Sequence, residues 1–412
     1  MTHRERILAA LDHREPDRVP IDLSGYRSSG IAAIAYPKLR AALGLAPRPI
    51  YVYDPIQQLA IVDDDVLDWA GADAIELGRG FCHDEKWWAD WTLPDGTRCK
   101  MPVWALPERD GAEWVYRSPR GNVMARMPEG SHHFDQTWWP FVDGEEDLSR
   151  IEELYADHMW TGIASPPGPS VSSMAELAAG ARRLRESKDR AIIGLFGGNL
   201  LEMGQFYYRM DNFLMMLAAE PARVHRFLDA LVEIHMRNLE QFLGAVGPYI
   251  DVINFGDDLG EQSRPQMSPR MYRELFKPRH AMMWARAKQL APNVKVMLHC
   301  CGAVRPLLPD LIEAGLDIIN PVQISCGGMD AAGLKRDFGR DLVFWGGGCD
   351  TQRVLPFGTP DEVREHVRRQ IAIMSPGGGF VFQQVHNIVG NVPAANIVAM
   401  YEATGQAMQA GT

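Results

Sequence analysis

No stretch of this chain approaches the roughly 18–20 consecutive apolar residues that a bilayer-spanning helix needs. The opening Met1-Thr2-His3-Arg4-Glu5-Arg6 has no apolar segment of signal-peptide length behind it. Both absences lead to the expectation of a cytoplasmic protein. Cysteine is scarce: six residues in 412 are too few for a disulfide framework. Positive charge is in deficit, with 42 Lys and Arg against 53 Asp and Glu and a net charge of −11. That balance excludes a nucleic acid or an anionic membrane held by a general basic field. A P-loop, a GxGxxG after a strand and a GxSxG elbow are all missing, so no phosphate cradle or nucleophile elbow is signalled. What is present, 46% apolar and 23% charged residues, is the composition of a folded protein with ample core material.

Eight short, nearly continuous apolar runs recur along the chain. They are Arg18–Ser24, Ala72–Gly78, Ala191–Gly197, Tyr249–Gly256, Lys295–Cys300, Asp317–Gln323, Leu342–Gly346 and Gly379–Gln384. Such runs suit parallel strands buried on both faces. Helix signals lie between them. Thr2 and Glu5 have capping-box spacing, as do Thr359 and Glu362, while Ser268-Pro269 reads as an N-cap followed by a first-turn proline. Eight strand-then-helix units predict an α/β fold of (β/α)8 TIM-barrel type, one domain over residues 1–412. The rhythm fails over about 82–165, after strand two, where eight of the eleven tryptophans sit. Pro94-Asp95-Gly96 and Pro119-Arg120-Gly121 mark turns there, so an antiparallel β insertion is expected. Its tryptophans form either a satellite core or a lid that brings Trp87, Trp91 and Trp139 over the barrel mouth.

In this architecture chemistry lies at the C-terminal ends of the strands. Ser24-Gly25-Tyr26-Arg27 follows strand one, Gly198-Asn199 strand three, and Asp257-Asp258 strand four. His299-Cys300-Cys301 ends strand five, Gln323 strand six, Cys349-Asp350 strand seven and His386-Asn387 strand eight. His299 and Cys301 are two apart and share one strand face, with Cys300 on the other. An imidazole beside a thiolate is a zinc-type pair. Cys349 and Cys326 compete as third ligand. Cys349 is favoured because Gly346-Gly347-Gly348 lets the backbone approach closely. Asp257 and Asp258 are candidate acid–base residues or helix caps. His386 and Asn387 either orient a substrate or sit satisfied in the core. Tyr26, Arg27, Asn199, Gln323 and Asn387 are candidate substrate contacts, and Arg27 with Arg79 could grip a carboxylate.

The opening Arg4-x4-Ala9-x5-Glu15-Pro16-Asp17-Arg18-Val19-Pro20 resembles that of the uroporphyrinogen decarboxylase superfamily. Leu298-His299-Cys300-Cys301-Gly302, Asn320-Pro321-Val322-Gln323, Trp345-Gly346-Gly347-Gly348-Cys349-Asp350-Thr351-Gln352 and Val385-His386-Asn387-Ile388 resemble its cobalamin-linked methyltransferase branch. The resemblance implies a (β/α)8 barrel, with zinc on His299, Cys301 and Cys349. Some of those relatives carry an acidic residue at the end of strand six, where this chain has Gln323. True decarboxylases of the family are metal-free and carry an Arg-Gln-Ala-Gly-Arg-like segment after strand one. Here Leu23-Ser24-Gly25-Tyr26-Arg27-Ser28-Ser29 stands instead. The expected reaction is methyl transfer between a small methylated compound, a methoxylated aromatic among the candidates, and a corrinoid (cobalamin). Barrel and insertion use the whole chain, so the corrinoid is expected on a partner protein. A metal-free decarboxylase of the uroporphyrinogen type and a non-catalytic ligand-binding barrel are the competing readings. Whether the chain forms a homodimer is left open.

Overall fold

The computed structural model describes residues 1–405. Seven parallel strands form one sheet in chain order: Ala74–Glu76, Ala191–Gly197, Val252–Gly256, Lys295–His299, Ile318–Asn320, Val343–Trp345 and Phe380–Val381. A short stave around Ile21 closes it into a barrel. On one side Asp22 N donates to Phe382 O and Phe382 N to Pro20 O, each at 2.8 Å; on the other Asp73 N donates to Ile21 O at 2.7 Å. Seven of the eight expected strands form, the first is reduced to a one-residue bridge at Ile21, and the fold is the TIM barrel.

The continuous apolar runs follow from two-sided burial. Ile193, Val252, Met297, Ile318, Val343 and Val381 fill the lumen, while Ile192, Ile253, Leu298, Ile319, Phe344 and Phe382 pack outward against the helices. Register sets the level of the site: Gly256 pairs with His299, and His299 with Asn320.

The N-terminal tract closes the barrel chemically. The helix His3–Leu11 begins with a Thr2–Glu5 capping box. It presents Arg6 to Asp73, a fully buried carboxylate. Asp73 also accepts two bonds from Arg18 (2.7 and 2.8 Å), one from the His3 ring (2.8 Å) and one from Ile21 N (2.8 Å). One carboxylate thus ties the first helix, the first stave and the second stave together.

Beyond the second stave the chain leaves the barrel. It forms a hairpin, Trp88–Thr92 with Arg98–Pro102, and a four-stranded antiparallel sheet of Glu108–Asp110, Glu113–Arg117, Val123–Met127 and Asp135–Gln136. This excursion has its own apolar cluster, including Tyr116, Met124, Met127, Phe134 and Met159. Trp91 packs edge-on to Trp114 (5.5 Å between ring centres) and Trp87 to Trp104 (5.8 Å), so these four rings stabilise the excursion itself. Among the described residues no helix is long and apolar enough to cross a membrane.

Candidate active site

A cavity of about 510 Å³ opens at the C-terminal ends of the staves. His299, the last residue of the fifth stave, points into the lumen. Its Nδ1 lies 2.8 Å from Asn320 Oδ1. The Asn320 amide donates to Trp345 O and to Gln383 Oε1, both at 2.9 Å. A backbone carbonyl only accepts, so the Asn320 NH2 group is fixed there and its oxygen must face the imidazole. The His299 proton is therefore on Nδ1, and Nε2 keeps a bare lone pair.

That lone pair faces Cys301 Sγ at 3.6 Å. The His386 ring centre lies 5.7 Å from that of His299. One donor atom from each of His299, Cys301 and His386 falls within 4.8 Å of the others. Burial, helped by His299 and His133, pushes the His386 ring down to about 3, which keeps it neutral. Burial and Asp258 push the Cys301 thiol well above its usual range. It would ionise here only beside a cation. Two imidazoles, one oriented by an amide, and one thiol suit a zinc ion.

Cys349 does not join them. Trp345 faces the lumen, and simple alternation would return residue 349 to it. Gly346 (φ 122°) and Gly347 (φ 74°) break that alternation. Cys349 is fully buried and belongs, like Cys326, to the outer core between sheet and helices. His386, considered in the sequence as a substrate-orienting or core residue, takes the third place.

Acidic groups crowd the next level. Asp258 Oδ1 accepts from Cys301 N at 2.7 Å and lies 3.9 Å from His299 Nε2. Glu202 accepts from Asn199 Nδ2 (2.6 Å) and Asp258 N (3.1 Å). Burial, then the neighbouring Asp258 and Asp257, push its carboxyl well above the usual range. Asp257 is no acid–base residue of this cavity. It is fully buried and caps the helix Leu201–Tyr208, accepting from Leu201 N and Glu202 N at 3.0 Å each.

The remaining candidates divide. Tyr26, Arg27 and Asn199 line the cavity. Arg27 is committed to Ser165 Oγ (2.9 Å) and to Asp54 (3.4 Å). Arg79 lies outside this cavity; it meets Arg27 only at a small neighbouring one beside Glu76, and its guanidinium bonds Val62 O and Asp64. Gln323 lies outside the lining and braces the Cys301 loop by accepting from Gly302 N at 2.9 Å. Asn387 donates to Gln57 Oε1 (2.6 Å) and lines a neighbouring cavity that shares His386. From the excursion, Tyr155, Trp160, Thr161 and Ser165 line the main cavity, with Trp160 stacked on Phe206. Trp87, Trp91 and Trp139 do not reach it. Glu202, Asn254 and Asn320 are not among the sequence-derived site candidates, although Asn320 stands in one of the tracts that carry the resemblance. For the two asparagines a signal existed: each is a polar residue at a lumen-facing position of an apolar strand.

Residues 157–406 match the family described as uroporphyrinogen decarboxylase (URO-D). Among solved structures, a methyltransferase from Methanosarcina mazei is similar at 19% identity with a TM-score of 0.59, over 98% of this chain and 99% of that one. A glycoside hydrolase family 5 enzyme from Prevotella bryantii is 10% identical over 65% of this chain and 87% of its own, with a TM-score of 0.34. No curated protein matches the sequence. The first likeness shows a shared fold over the full length. The family match takes in the third to eighth staves and all three residues of the His–Cys–His group. The chain belongs to the uroporphyrinogen decarboxylase family.

Proposed function

We propose that the chain is a zinc-dependent methyltransferase that moves a methyl group from a small methylated compound to a corrinoid on a partner protein. The observation that carries this reading is the convergence of His299, Cys301 and His386 beside a cavity that both histidines line and that has one aromatic wall. When bound there, zinc supplies a Lewis acid for the heteroatom that the methyl group leaves. The chain's own residues do the rest. Asn320 holds the His299 proton on Nδ1, and Gln323 and Asp258 fix the loop carrying Cys301. Glu202, kept protonated, holds a proton at the cavity wall for the departing heteroatom. Trp160, Phe206, Phe196 and Leu195 exclude water and supply apolar contact for a methoxylated aromatic. A cytoplasmic setting suits six free cysteines, Cys301 above all. We read the chain as one barrel domain with its insertion at about 82–165.

The full-length likeness to a methyltransferase agrees with this reading. The charge of the cavity weighs against decarboxylation of a polycarboxylate. Glu202 and Asp258 line it, and its single arginine, Arg27, is already paired with Asp54. The test mixes zinc-loaded protein with a reduced corrinoid and a panel of methoxylated aromatics, methylated amines and thioethers. Methylation of the corrinoid, followed optically, is expected for at least one donor. Silence across the panel, with turnover of a carboxylated tetrapyrrole, would transfer the case to decarboxylation.

A further inference from the structure

Asn254 lies on the fourth stave between Val252 and Gly256, on the lumen side, and lines the main cavity. It is fully buried, and neither its Oδ1 nor its Nδ2 has a hydrogen-bond partner within the protein. Buried amides in folded proteins are normally satisfied. Asn320, two staves away, shows this: it accepts from Ser28 and pairs with the His299 ring, and it donates to Trp345 O and Gln383. An apolar side chain at position 254 would serve the core better, as Leu195 and Met297 do on the flanking staves. An unpaired amide facing a cavity is explained by a group that arrives in the cavity.

We propose that Asn254 is the polar anchor for the substrate, and that this substrate is a neutral aromatic methyl ether carrying a second group that both donates and accepts a hydrogen bond, such as a hydroxyl or a primary amide. The ether end rests on the methyl-transfer reading above; the anchor stands on binding alone.

Three observations set the class. The amide offers an NH2 and a carbonyl side by side, and only a group with both roles satisfies the two ends. A carboxylate would leave Oδ1 unpaired, and it would enter a cavity already lined by Asp258 and Glu202, whose arginine is engaged by Asp54. Finally, Asn254 is level with Met297 on the neighbouring stave, one strand repeat below His299. That is a rise of about 7 Å. A benzene ring with a substituent at either end spans such a gap. It would place its hydroxyl on Asn254 and its ether oxygen at the level of His299, Cys301 and His386, against Trp160 and Phe206.

The test is calorimetric binding to the full chain of three probes that differ in one substituent: 4-methoxyphenol, methoxybenzene and 4-methoxybenzoate. The native protein is expected to bind 4-methoxyphenol about tenfold or more tightly than methoxybenzene, because the unsubstituted ring leaves a buried amide unpaired. The benzoate is expected to bind more weakly than the phenol. N254L should erase the preference by losing phenol affinity while methoxybenzene binds as well or better. N254A, which opens space instead of filling it, should do the same and guards against a packing artefact. Equal native affinity for phenol and methoxybenzene, or a preference that survives N254L and N254A, would overturn the anchor. Tighter binding of the benzoate would overturn the charge argument, and no binding of any probe would overturn the substrate class. Methyl transfer that fails while the preference holds would refute the reaction and leave the anchor standing.

Discussion

Replacing Asn320 by leucine tests the heart of the site, because this amide decides which His299 nitrogen is free. All four of its hydrogen-bonding positions are used: His299 Nδ1 at 2.8 Å, Ser28 Oγ, Trp345 O and Gln383 Oε1 at 2.9 Å each. N320L removes the partner of the His299 N–H and leaves the buried Trp345 carbonyl and Gln383 amide oxygen without a donor. At about 1–3 kcal/mol per buried group left unpaired, with some rearrangement of Gln383, the loss in stability should be about 2–5 kcal/mol. Zinc affinity should fall about 10–100-fold, the usual effect of losing the group that orients a histidine ligand. N320D separates the two effects. Its carboxylate still accepts from His299 Nδ1, so zinc affinity should be kept, but it meets the Trp345 carbonyl with an acceptor and should also lose stability. Competition with a chromophoric chelator reads the metal, and urea unfolding reads the fold. Unchanged zinc affinity in N320L, or equal losses of affinity in N320L and N320D, would refute the argument that Asn320 fixes the tautomer.

H386A is expected to abolish stoichiometric zinc while C349A retains it, as read by elemental analysis of purified protein; the opposite pattern would restore Cys349 as the third ligand. Burial raises the Glu76 carboxyl from 4.5 to about 7. A carboxyl raised on folding binds its proton more tightly in the native state, so its contribution is full below 4.5 and is lost as pH rises through about 7. Unfolding free energy of E76Q should therefore fall less than that of the native protein across this window, and parallel curves would refute the assignment. D73A removes one of the two carboxylates on the buried Arg6 guanidinium, which keeps Asp17, and leaves the buried Ile21 amide without an acceptor. It should cost about 2–3 kcal/mol in urea unfolding. A loss of about 1 kcal/mol or less, the range of a surface pair, would show that Asp73 does not hold the barrel closed.

Much of this protein is legible in its sequence, for a local reason. Strands buried on both faces must be apolar at every position, so eight such runs separated by capped helices spell a parallel barrel. The two-residue period of a strand puts His299 and Cys301 on one face, and the barrel architecture places both at the functional rim. Which other side chains join them at that rim depends on the path of the chain in space. Two glycines with positive φ turn Cys349 outward, and the eighth stave brings His386 to the vacant place. Asp257 becomes a helix cap because the third stave delivers the amides of Leu201 and Glu202 to it. Four of the eight tryptophans of the excursion pair with each other, and of the eight only Trp160 reaches the cavity. The unpaired amide of Asn254 and the satisfied one of Asn320 are the same residue in similar local sequence. Their difference lies in what the neighbouring staves present to them. Periodicity constrains the face a side chain takes, but only the closed sheet decides which residues meet on it.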